Sequence, residues 1–216
     1  MRITFAGRFG KRNVTLIYIA PKKLKQYHHG DLKAALLSAA LSLIERDGVK
    51  GFNLKDAAVL VGVSTAAPYR HFADKDALLA AIRKEAFVLF YDSLKEAYES
   101  GRTPAARIEE LGVAYVLFAL HNPGRFRVMF GLTGEPAPVD GPAEPNAFLL
   151  LVEAVAALVP RAGPKRRGDV VLACWSIVHG FAALQMDGAF ARLPQPEMEQ
   201  QLRRTLRLLI EPLSGS

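Results

Sequence analysis

Only one cysteine, Cys174, occurs in 216 residues, so no disulfide can close within the chain and a reducing cytoplasm is the expected setting. Long apolar runs are missing too. The longest uncharged stretch, Val170 to Met186, falls short of the roughly 20 apolar residues of a membrane span. It also carries Ser176, His179, Gly180 and Gln185, so a buried helix is expected and no membrane partner. Val14 to Ala20 follows positive residues as the core of a signal peptide would. It is short, however, and PKKLK succeeds it in place of a small-residue cleavage site. Spacings that carry chemistry are absent as well. No nucleophile, base and orienting group stand at a recognisable separation, and no glycine-rich phosphate loop is present. His28 and His29 have no further ligand at metal spacing. Neither catalysis, a cofactor nor a metal is therefore expected.

Acidic residues are missing from the first 30 positions, which hold seven bases: Arg2, Arg8, Lys11, Arg12, Lys22, Lys23 and Lys25. The other 21 of the 28 basic residues match the 21 acids, so the formal charge of +7 arises in this segment. Such an arm is suited to lie along phosphates. The β-prone runs ITF and VTLIYI flank Gly7, Gly10 and a GKRN cluster. Residues 1–26 thus read as an extension, either a hairpin or disordered. Half of the whole chain is hydrophobic and under a quarter is charged, ample for a folded core.

The most informative stretch is Phe52 to Leu79, FNLKDAAVLVGVSTAAPYRHFADKDALL. Asn53 can cap a helix, with Asp56 three positions on near the positive helix end. Ala57, Ala58 and Val61 suit close helix packing. Gly62 supplies a turn, and Ser64 is placed to cap a second helix of about two turns bearing Thr65, Ala66, Tyr69, Arg70 and His71. Pro68 falls within the first turn of that helix, where it fixes the start rather than breaking it. Asp74 caps the helix that follows. Small, hydroxyl, aromatic and cationic groups on a short helix fit a polyanion, and the unit is a helix-turn-helix.

Phe52, Leu54, Asp56, Ala58, Gly62, Val63, Ser64, Tyr69, His71, Phe72, Lys75 and Leu78 together resemble the DNA-binding segment of TetR-type (tetracycline-repressor-like) bacterial transcription regulators. Tyr27, His28, His29, Gly30, Asp31 and Leu32 resemble the start of the first helix in a subgroup of that family. The likeness runs from about residue 27 onward. Asn53 departs from it, standing where a hydroxyl residue is usual. The resemblance implies DNA contact at Lys55, Tyr69, His71 and Lys75. Residue chemistry adds Lys55, Thr65, Ala66 and Arg70 as candidates for base edges. Tyr69, His71, Lys75, Asn53 and Ser64 suit phosphates, as do Tyr27, His28 and His29.

Beyond this unit the periodicity is helical throughout, and an all-α fold is expected. Helices are predicted over Asp31–Asp47, Asp74–Ser100, Pro104–Leu120, Asn146–Val159, Asp169–Leu193 and Glu197–Leu213, with a short aromatic helical turn over Arg125–Gly131. Proline-rich residues 133–145 and basic residues 161–168 read as loops. Gly101 and Pro104 break the long helix, where a hinge is expected. Residues 27–78 form the expected DNA-binding domain and 79–216 a regulatory and dimerisation domain. The helix around Trp175 is apolar on two sides, along Val171, Trp175, Val178 and Ala182 and along Val170, Cys174, Ile177, Phe181 and Leu184. It therefore needs cover on both. The resemblance implies that the last two helices form a homodimer, whose two-fold axis matches a palindromic operator.

Trp175, His179 and Gly180 resemble the tryptophan–histidine–glycine signature of one subgroup's regulatory domain. Phe118, His121, Phe126, Met129, Phe130, Trp175 and His179 are candidates for lining an effector pocket. The bland reading of the same residues is an aromatic core with one satisfied histidine. The function expected is a cytoplasmic, nucleoid-associated repressor, released from DNA by a small molecule. The alternative is a dimeric DNA binder without an inducer, answering to a protein partner or organising the chromosome. If the basic arm lies on phosphates, removing residues 1–25 weakens DNA binding. It also lowers the slope of log affinity against log salt by about 0.9 for each phosphate that the arm neutralises. An unchanged affinity and slope in a salt titration would exclude that role.

Overall fold

The computed structural model describes residues 5–9, 12–16, 32–131, 146–188 and 193–213. Tyr27, His28 and His29 and the proline-rich loop lie outside these residues. Two short strands, β1 (Phe5–Phe9) and β2 (Arg12–Leu16), pair antiparallel with Phe5 opposite Leu16 and Phe9 opposite Arg12. Every other regular element among the described residues is helical, and the fold is all-α.

Helix α1 spans Leu32–Gly51, and its regular part stops at Gly48, where φ is 76°. Leu36, Ala40, Leu43 and Ile44 recur at helical spacing and are buried. Helix α2 (Leu54–Val61) starts where Asn53 accepts from the Asp56 N–H at 3.0 Å, while the Asn53 amide donates to the Asp56 carboxylate at 2.6 Å. It ends at Gly62, whose φ of 81° lets the Gly62 and Val63 N–H groups both reach the Ala58 carbonyl. Asp74 accepts from the Ala77 N–H at 2.8 Å and starts α3 (Lys75–Ser100).

Two cores share α3. Leu78, Leu79 and Ile82 join α1, α2 and Phe72 in the first. Ala86, Phe90 and Leu94 join the second, which is built by α4 (Pro104–His121), α5 (Pro123–Phe130), α6 (Ala147–Leu158), α7 (Pro164–Met186) and α8 (Gln195–Ile210). Gly101–Thr103 is a short connection between two helices of this second core, with Arg102 and Thr103 exposed, and the cores meet along α3 between Ile82 and Ala86. Leu89, like Phe87 and Val88 beside it on α3, is exposed and joins neither core.

Helix α7 begins five residues earlier than its pattern suggests. Pro164 sits in its first turn, where a missing N–H costs nothing. The basic residues 165–167 are thus helical rather than a loop, and Arg167 donates to the Val159 and Pro160 carbonyls at 3.4 and 2.5 Å, tying α7 to the end of α6. At its other end α7 stops at Met186. By length and composition it could cross a membrane, yet Val170, Val171, Cys174, Val178, Phe181 and Ala182 are buried in the second core. Burial also pushes the Cys174 thiol up to about 11, which leaves it an unreactive core residue.

Helix α8 is held to α4 by two forked ion pairs. Arg203 donates to both oxygens of Glu110 at 2.7 and 2.8 Å, and Arg207 to both oxygens of Glu109 at 2.9 Å. Such forks fix the register of the two helices as well as their attraction. Glu109 is buried, while the Arg207 side chain is half exposed and screened by water. Replacing Glu109→Ala should therefore destabilise the fold by about 1–2 kcal/mol, read as a lowered denaturation midpoint, and an unchanged midpoint would refute this role.

Candidate nucleic-acid interface and effector site

The segment after α2 is tighter than the pattern predicts. In place of a two-turn helix there is a single 3-10 turn, Ala67–Arg70, with Pro68 buried in its first positions. Its cap is Ala66, which makes no side-chain bond; Ser64 contributes only its carbonyl, accepting from the Ala67 N–H at 2.9 Å. The Pro68 carbonyl then accepts from the N–H groups of both His71 and Phe72, at 2.9 and 3.0 Å. Proline holds φ near the helical value and anchors the turn, while the sequence beyond His71 swings Phe72 into the core.

This geometry leaves Asn53, Lys55, Ser64, Thr65, Ala66, Tyr69, Arg70 and His71 exposed, with Tyr69 half accessible. Lys75 is different. Its ammonium lies 3.5 Å from the Lys50 carbonyl and 5.5 Å from the Phe52 ring centre, so it ties the start of α3 to the α1–α2 connection. It is only partly exposed. The exposed set combines two cations, three hydroxyls, a small methyl and an imidazole, with no carboxylate between Lys75 and Asp56 except Asp74, which is engaged as a cap. That is a surface able to read major-groove edges and hold phosphates.

The candidate effector residues gather around buried Tyr115 and half-buried His179. The Tyr115 hydroxyl and His179 Nδ1 are 2.7 Å apart. With the imidazole neutral, the hydroxyl donates and the ring proton sits on Nε2. Burial pushes Tyr115 upward and His179 downward, so both stay uncharged near neutral pH. Phe126 stacks on His179 at 5.7 Å, Phe130 meets it edge-on at 5.4 Å, and Phe118 packs on Phe90 at 5.1 Å. Met129 is buried in the same core. Trp175 lies at the margin, 6.5 Å from His179 and partly exposed. These rings occupy the space between α3, α4, α5 and α7 themselves. His121 stands apart from them, exposed at the end of α4. Tyr115 is a partner that helical periodicity alone does not single out.

The two units are joined by α5, one helix with two buried sides. Val128 is wholly buried in the first core, and its carbonyl accepts from Arg83 Nε at 3.1 Å. Phe126 and Met129 belong to the second core. At the start of α5 a Cβ on Gly124 would lie 2.9 Å from Glu45 Cγ and 3.0 Å from its Oε1, so a larger residue here would displace the Glu45 side chain of α1. Gly180 behaves in the opposite way. A Cβ there would meet nothing within 4 Å inside the protomer, and Leu172 and Leu184 on the same helix are exposed.

Residues 36–82 match the model of bacterial regulatory proteins of the tetR family, and residues 108–209 match that of the tetracyclin repressor-like C-terminal domain. Neither description singles out the tryptophan–histidine–glycine subgroup. A protein of unknown function from Rhodococcus sp. RHA1 is 32% identical, with a TM-score of 0.65 over 85% of this chain and 97% of that one. The TetR family transcriptional regulator PfmR from Thermus thermophilus is 19% identical, with a TM-score of 0.62 over 82% and 97%. A TetR variant from Acinetobacter baumannii AYE in complex with minocycline is 21% identical, with a TM-score of 0.59 over 85% and 96%. The last two share the fold. No curated protein matches the chain.

Burial of the His179 imidazole makes stability depend on pH. Below its ordinary value of 6.5 the unfolded chain takes up a proton that the folded protein resists. Stability is therefore full above that value and falls as the pH drops through it toward the folded pKa. Replacing His179→Gln, which keeps an acceptor for Tyr115, should flatten this part of the profile. Denaturant unfolding at steps between about pH 5 and pH 7.5 measures it, and parallel profiles for the two proteins would contradict the assignment.

Proposed function

This chain belongs to the tetR family of bacterial regulatory proteins, and we propose that it is a homodimeric repressor that binds a palindromic operator and is released by a small-molecule effector. The fold is that of a DNA-binding transcriptional regulator, not of an enzyme. The observation that carries the regulatory part is the double burial of α5. Any ligand that parts the rings around Tyr115 and His179 moves Phe126 and Phe130, and Val128 on the same two-turn helix moves with them inside the DNA-binding core. Packed interiors shift as units rather than deform smoothly, so a small displacement is passed on. Arg83 then carries it to α3 and the reading turn. Free protein populates the DNA-binding arrangement, and effector binding shifts the population away from it.

The dimer is supported by the uncovered side of α7. Leu172 and Leu184 are exposed, Ile177 is half-buried, and Gly180 leaves room for a second helix to approach closely. On α8, Leu208 is 81% exposed and adds to the apolar area that a second copy would cover. In such a dimer Arg70, Thr65 and Ala66 are the residues proposed to read base edges, with Lys55. Asn53, Ser64, Tyr69, His71 and Lys75 take phosphates, together with Tyr27, His28 and His29. A cytoplasmic location follows from this role.

The tight ring packing favours a second reading, a dimeric DNA binder that needs no inducer, because Tyr115 already satisfies His179. Selecting fragments from random DNA with the purified protein tests the shared premise. Enrichment of a palindrome is expected, and no enrichment would overturn both readings. On the selected site, Arg70→Ala should cost about 1–3 kcal/mol at one base pair and relax preference there, whereas Tyr69→Phe weakens all sequences alike. A metabolite panel that leaves affinity for the site untouched would favour the uninduced binder.

A further inference from the structure

We propose that the ring cluster around Tyr115 and His179 is completed by a second copy of this chain, whose helices cross α7 at Gly180 and cover Trp175 and His179. The inference rests on the homodimer proposed above and adds that the effector site is shared between protomers. At about 100° per residue around a helix, Leu172 stands within about 20° of His179 and within about 60° of Trp175. Leu172 is 59% exposed and Trp175 37%, so the uncovered side of α7 and the open margin of the rings are one surface. Beyond Trp175 the surface continues onto α6. Phe148 meets the indole edge-on at 5.6 Å, and Phe148 and Leu149 are both exposed.

A second copy is the occupant that this surface fits. No Lys, Arg, Asp or Glu occurs between Asp169 and Asp187, although Leu172, Ser176 and Leu184 all face outward. A solvated helix face carries charges, and a charged partner such as nucleic acid or an acidic peptide would find none here to pair with. An isologous dimer needs only that the same apolar patch occur on both partners. Gly180 and its neighbours set where the copies approach. A Cβ at Gly180 would meet nothing within 4 Å among the described residues, and Ser176 and Ala183, about one turn to either side, are also small. Ser176 and Ala183 lie within about 60° and 40° of His179 around α7, so a helix resting on them reaches the imidazole. His179 is half-buried in one protomer and closed off in the dimer. An effector that parts the rings then works against the partner as well, which couples occupancy to dimerisation.

Trp175 is the chain's single tryptophan, so its fluorescence reports this margin directly. The test measures acrylamide quenching of the full chain over a dilution series whose dimer fraction is followed by sedimentation. Quenching should fall about twofold or more as dimer replaces monomer, since the core of an interface excludes water. Gly180→Glu finds room within its own protomer and gains helix propensity, so it should fold, sediment as a monomer and keep Trp175 quenchable. Leu172→Glu, at an exposed position, should do the same and guards against a folding defect in the first variant. A wild-type dimer whose Trp175 is as quenchable as in the two monomeric variants would overturn the shared site and leave the homodimer standing. Variants that still dimerise with Trp175 protected would overturn the crossing at Gly180. A chain that stays monomeric at every concentration would overturn both the shared site and the homodimer. Protection gained on adding phosphatidylglycerol vesicles, and not on raising the concentration, would assign the surface to a membrane and overturn the second copy.

Discussion

The rest of the structure depends on the burial of one short helix on two sides. Val128 fills the core of the helix-turn-helix unit, while Phe126 and Met129, two and one residues away, fill the core of the larger unit. Neither core can relax alone around α5, since each would leave a void of about a side chain in the other. Arg83 on the Val128 carbonyl adds a polar link on the same helix. A two-turn helix is too short to bend between its faces. It therefore transmits displacement as a rigid piece.

In the role proposed above, grip and control are separated around this helix. The reading turn is kept rigid by local means: the Asn53 and Asp74 caps, the Gly62 turn and the Pro68 anchor, each within a few residues of what it holds. Control is built from long-range packing. Tyr115 and His179 are 64 residues apart in sequence and meet only because α4 and α7 pack side by side. The forked pairs from α8 to Glu109 and Glu110 hold that packing in register. In that role, parts that must not change are encoded locally, and parts that change with effector are encoded by contacts between distant elements.

Legibility in the sequence follows the same division. The caps at Asn53 and Asp74 and the turn at Gly62 can be read directly, because each depends on backbone groups three or four residues away. The start of α7 is misplaced by the pattern for a local reason also: a basic run reads as solvated loop, although Gly163 and Pro164 already offer a helix start. The reading helix looks longer in the sequence because composition shows which residues face outward. It does not show that Pro68 and the early turn of Phe72 confine the helix to one 3-10 turn. The ring candidates can be named from their types, yet not that Tyr115 closes on His179.

By itself, then, the sequence determined the all-α class, the position of the helix-turn-helix and the exposed groups of the reading turn. These follow from periodicity, caps and turn chemistry, which act over one or two helical turns. Only the tertiary structure decided that α5 belongs to both cores and that the aromatic group is closed around a neutral Tyr115–His179 pair. Each of these is set by which distant side chains come to share a volume, and that is fixed by packing, where spacing along the chain carries no information.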